Sequence, residues 1–131
     1  MRWTVDLKEY FEKTKGHGIL ATADTNGKVN TALYARPYFM DDGTVIFIMA
    51  ERLTHENLKS NPWAAYLFLE SREGYFGKRL YLKKIKEEQN EELINEICRR
   101  CSYSHYEVHK RYIAYFSIEK VLPLIGDAES A

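Results

Sequence analysis

"GILATADTNGKVNTALYARPYFMDDGTVIFIMA", residues 18–50, holds two turn signals and three runs of strand character. Asn26-Gly27 favours a tight hairpin turn, because its central positions need positive φ and Gly and Asn supply it at little cost. Asp41-Asp42-Gly43 turns the chain a second time. "HGILATAD" and "VNTALYARPYFM" therefore read as partner strands, and "TVIFIMA" as a third that is apolar on both faces and buried. Pro37 has no N–H to offer a neighbouring strand, so an edge or a bulge is expected within the second run.

Working outward, Asp6-Leu7-Lys8-Glu9 has the spacing of a capping box. With Val5, Leu7, Tyr10 and Phe11 it predicts a short amphipathic helix ending near Gly16. Thr54 to Ser60 reads as a short helix with Thr54 as N-cap and Pro62 just beyond its end. "WAAYLFLES" and "GKRLYLKKIK" are two more strands, joined through Glu73 to Gly77. "EEQNEELINEICRRC" is the clearest helix, with Leu93, Ile94, Ile97, Cys98 and Cys101 at helical spacing. "RYIAYFSIEKVLPLI" closes the chain as a sixth strand. Six short strands with few helices point to a mainly β fold, a small barrel with flanking helices, forming a single domain over residues 1–131.

Composition narrows the function. Lys and Arg number 19 against 19 Asp and Glu, so the chain lacks the basic excess that nucleic-acid binding requires. No apolar run approaches a membrane span, and the start carries no signal-like h-region. Two cysteines without such a signal fit a cytoplasmic chain with reduced thiols. Cys98, Cys101, His105 and His109 form a row of soft ligands, but on a continuous helix they spread over roughly 16 Å, too far for one ion. Packing in the apolar stripe is the preferred reading of the cysteines, and no metal site is assigned. His17, between two glycines, reads as a solvent-facing turn residue. No P-loop, dinucleotide fingerprint or local triad signature is present.

"ERLTHENLKSNP", residues 51–62, is the strongest candidate for binding chemistry. A helix start leaves N–H groups unpaired and carries partial positive charge, so it receives anions. Arg52 stands beside it as a bidentate phosphate binder. Asn30 and Arg36, an even interval apart, fall on one face of the second strand, with Thr31 on the other. Such a set can hold a phosphate and a sugar-like chain; a capped connector is the alternative.

The run from Gly18 to Leu69 resembles the pyridoxamine 5'-phosphate oxidase-like family. The matching elements are a leading helix, "LAT" into an Asn-Gly turn, "ARP", "DGTVIFIMA" and a polar run to "NLKSNP". It also looks like the short FMN-binding proteins of that family, with Asn30-Thr31 opening the second strand and Thr54-x-x-Asn57 after the third. The resemblance implies a six-stranded antiparallel split β-barrel, homodimeric, with FMN at the subunit interface. By that likeness Arg52 and Thr54 hold the phosphate and Asn57 steadies the turn. Asn30, Thr31 and Arg36 line the ribityl chain and ring edge, with backbone groups around Ala50 and Glu51. Leu53 and Thr54 stand where many relatives carry Lys, so Arg52 or His55 is expected to supply that charge. A true pyridoxamine phosphate oxidase is not expected, since such enzymes carry an arginine-rich C-terminal segment and no arginine follows Arg111 in this sequence.

The functional expectation is an FMN-dependent oxidoreductase or electron carrier, with no catalytic side chain assigned. A deazaflavin-dependent reductase and a cofactor-free interaction module on the same fold are the alternatives, with haem handling a third. The apolar sequence of "TVIFIMA" and "WAAYLFL" exceeds what one small barrel covers, which again points to a homodimer.

Overall fold

The computed structural model describes residues 2–97 and 110–128. Among these residues the order of elements is α1 (Arg2–Lys13), β1 (Gly16–Ala23), β2 (Val29–Tyr34), β3 (Tyr38–Phe39), β4 (Val45–Ala50), α2 (Leu53–Ser60), β5 (Trp63–Glu70), β6 (Gly77–Glu88), α3 (Glu91–Ile97) and β7 (Arg111–Pro123). The strands form one antiparallel sheet in the order β2-β1-β5-β6-β7-β4-β3.

Chain connectivity forces that sheet to curl. β2 and β3 are its opposite edges, yet only Ala35, Arg36 and Pro37 separate them. Four residue steps span at most about 14 Å, so the two edges must approach. The result is a barrel left split between β2 and β3. The expected second strand is thus two strands, and the count is seven where six were expected. The break spans Ala35 to Pro37: the chain leaves β1 after Tyr34 and takes up β4 as its partner from Tyr38. Arg36 uses the break: its guanidinium donates to the carbonyls of Phe11 at 3.0 Å and Thr14 at 2.9 Å, orphan acceptors at the end of α1.

At the first turn, the Asp24 carboxylate accepts from the N–H of Asn26 and of Lys28, both at 2.9 Å, and Gly27 takes φ +83°. The barrel interior is closed by aromatic side chains. Phe11 of α1 packs on Phe68 with ring centroids 5.1 Å apart, and Phe47 on Tyr66 at 5.1 Å and Phe116 at 5.7 Å. A second apolar cluster forms outside, where Ile94 of α3 meets Ile46, Ile113 and Tyr115. Both faces of β4 are therefore buried within this chain, which absorbs the apolar excess of "TVIFIMA".

Three boundaries differ from expectation. Asp6 lies inside α1, exposed, because the helix already runs from Arg2. His17 is an exposed residue of β1 rather than of a turn. Glu87 and Glu88, read as the start of a helix, end β6, where their carboxylates are held by His55 and Lys84 and by the Tyr115 hydroxyl. Cys98, Cys101, His105 and His109 lie outside the described residues.

Candidate functional site

A cleft of about 450 Å3 opens between β2 on one side and β4 with the start of α2 on the other. Its position follows from the split, since an edge strand that has lost its neighbour leaves its inner side chains uncovered. Alternation along β2 sends Asn30, Ala32 and Tyr34 inward and leaves Thr31 and Leu33 exposed. Opposite them stand Ile46, Ile48 and Ala50 of β4, then Arg52, Leu53 and Thr54. The volume lies in the range of small-molecule sites.

The cleft lining mixes polar and apolar side chains, and it includes the first turn of α2. Arg52, not Thr54, is the N-cap, with extended backbone (φ −133°, ψ −172°) and no side-chain capping bond. Thr54 sits two places too far along to cap. It is buried, and its hydroxyl accepts from the Asn30 amide at 3.4 Å and meets the Tyr34 hydroxyl. Burial pushes the Tyr34 phenol above its usual range, while the Thr54 contact and the Arg52 charge pull the other way. The apolar part of the lining includes Ala32, Tyr38, Ile46 and Ile48.

The other expected site residues lie in and around the cleft. Arg36 lines the cleft but is engaged by the α1 carbonyls. Ala50 ends β4 in the lining, and Glu51 is exposed in the bend that follows, outside the lining. Asn57 is buried behind the cleft; its amide donates to the Thr22 hydroxyl at 3.1 Å and ties α2 to β1. His55 does not face the cleft. Its ring is 2% exposed, stacks on Tyr112 with centroids 4.0 Å apart, and holds both Glu87 oxygens at 2.9 and 3.1 Å. Of the two residues expected to replace the relatives' lysine, Arg52 lines the cleft and His55 does not. Tyr34 was missed in the sequence, although alternation from Asn30 points to it.

No family model matches the chain, and no curated protein matches it. Solved structures do match. An FMN-binding protein from Syntrophomonas wolfei subsp. wolfei superposes with TM-score 0.77 at 22% identity, over 95% of this chain and 88% of that one. An F420 reductase gives TM-score 0.68 at 14% identity, over 86% and 94% of the two chains. A Listeria innocua protein provisionally named as a pyridoxamine 5'-phosphate oxidase gives 0.65 at 15%, over 93% and 98%. The chain has the split-barrel fold of pyridoxamine 5'-phosphate oxidase-like proteins. Among the described residues no helix is long and apolar enough to cross a membrane.

Proposed function

We propose that this chain is a cytoplasmic, homodimeric flavoprotein that binds FMN in the cleft beside β2 and serves as an oxidoreductase or electron carrier. The observation that carries the reading is the start of α2: a helix N-terminus without a side-chain cap, bordering a cleft of mixed polar and apolar lining that includes Arg52. The first N–H groups of such a helix and a guanidinium are suited to a phosphate dianion. Asn30, Thr54 and the Tyr34 hydroxyl offer donors and acceptors to a ribityl chain, and the apolar walls suit a flat ring system. The polar backbone around Ala50 borders the ring edge.

Flavin supplies the redox chemistry when bound, by taking up one or two electrons. The residues of this chain bind it, orient it and keep water from its faces; no side chain here is assigned a proton-transfer step. The likeness to an F420 reductase favours a deazaflavin as the second reading, since the same cleft chemistry serves both. The visible spectrum of protein purified from its own cells separates these readings. A flavin spectrum matching FMN is expected. A deazaflavin spectrum would replace FMN by the second reading. A colourless protein that does not take up added FMN would leave only the cofactor-free module.

A further inference from the structure

The first turn of α2 is held from the side that does not face the cleft. Intrahelical bonding begins where the Glu56 N–H donates to the Arg52 carbonyl at 3.0 Å. The N–H groups of Leu53, Thr54 and His55 therefore have no acceptor within the helix. Their direction depends on what fixes these three residues. Leu53 is exposed and fixes little. Thr54 is tied to the Asn30 amide of β2 by a long contact of 3.4 Å. His55 is the firm point.

His55 joins α2 to both β6 and β7. Its Nε2 meets both oxygens of Glu87, and an ionised carboxylate only accepts, so Nε2 carries a proton and donates. Against the upward push of burial, hydrogen bonds from Lys84 and His55 hold the Glu87 carboxyl below its usual range. Tyr112 of β7 stacks on the imidazole with the ring planes 14° apart. A buried ring that is stacked on one face and bonded at its edge keeps one orientation, and its backbone N–H is fixed with it. An apolar side chain of similar size would pack there at no loss of stability, but it would not set a direction.

We propose that His55 and Glu87 are a positioning pair, which holds the first turn of α2 against β6 and β7 so that its free N–H groups keep one direction. The imidazole lies outside the cleft lining, so the pair acts on a bound anion through the backbone. The holding of the turn stands on these contacts alone; its consequence for a flavin phosphate rests on the FMN reading. NMR relaxation of the full chain tests the holding. The amides of positions 53–55 should be rigid in the native protein, with order parameters of about 0.85, and fall towards about 0.6 in His55→Leu and in Glu87→Ala. Amides of β1 and β5 should keep their native values. Glu87 is the milder place to break the pair, because its side chain is 27% exposed at the end of β6. Rigid positions 53–55 in both variants would overturn the pair.

Titration with FMN and riboflavin tests the consequence. Each variant should weaken FMN binding about tenfold and leave riboflavin, which lacks the phosphate, within about twofold of native. The double variant should bind FMN no more weakly than the weaker single variant, because either change breaks the same tie. His55→Gln, which offers an N–H at similar reach, should recover part of the lost FMN affinity. Equal losses for FMN and riboflavin, or additive losses in the double variant, would overturn the positioning role. Loosened positions 53–55 in the variants, with no uptake of FMN by the native protein, would leave the holding pair standing and remove the cofactor reading.

Discussion

Gly18 decides more than its size suggests. A Cβ there would lie 1.8 Å from the Tyr66 hydroxyl oxygen and 2.3 Å from the ring carbon that bears it. Tyr66 is fully buried, and its hydroxyl donates to the Tyr34 carbonyl at 3.2 Å, which fixes the wall of the cleft. Gly18→Ala must displace that ring, so we expect a loss of about 1–3 kcal/mol in denaturant-unfolding stability. Unchanged stability would mean the ring has somewhere to go. At this scale the sequence was informative where chemistry is local. Arg52 and Asn30 could be picked out from residue type and spacing. Arg36 could not be understood that way, because its partners Phe11 and Thr14 come from a distant helix end. The same holds for His55, whose pairing with Glu87 joins two elements that no local pattern connects.

Elements were legible in kind and less so at their ends. Hairpin turns and strand alternation were visible because each depends on neighbours along the chain. The end of β6 was not, since Glu87 and Glu88 have helical character and are strand only through tertiary partners. Glu87 shows how. Burial alone would raise its carboxyl, but hydrogen bonds from Lys84 and His55 outweigh that and hold it below the usual range. A carboxyl lowered in the folded state adds stability above its unfolded pKa and loses it as pH falls through the folded value. Glu87→Gln should therefore be less stable than the native protein at neutral pH, with the difference closing below about pH 4. A difference independent of pH would show that the charge contributes nothing. Arg36 joins α1 to the strand break, so Arg36→Ala should cost about 1–3 kcal/mol of stability through two orphaned carbonyls. Its effect on FMN affinity should be smaller than that of Arg52→Ala. The reverse order in a paired stability and binding measurement would make Arg36 a ligand residue first.

For the molecule as a whole, the barrel could be read from six strands and two turns, but its split could not be derived from pattern. The split arises because pairing with β1 ends at Tyr34, and beyond Pro37 the next two residues, Tyr38 and Phe39, pair with β4 and form the opposite edge. That one break creates the seventh strand, brings the sheet edges together and leaves the cleft between them. The apolar excess was likewise visible, yet its distribution was not: α3 covers β4, and the remainder lies on the outer face of β5 and its neighbours.

The central claim is that the start of α2 receives the phosphate of a flavin nucleotide. It is tested most directly by fluorescence titration of FMN and riboflavin against the native chain and Arg52→Ala. A charge-assisted bond to phosphate contributes roughly 1.5–3 kcal/mol, so Arg52→Ala should weaken FMN about ten- to a hundredfold. Riboflavin, which lacks the phosphate, should bind the native protein poorly and respond little to the substitution. Equal binding of FMN and riboflavin by the native protein would contradict the account and leave residues 51–62 a connector between strand and helix.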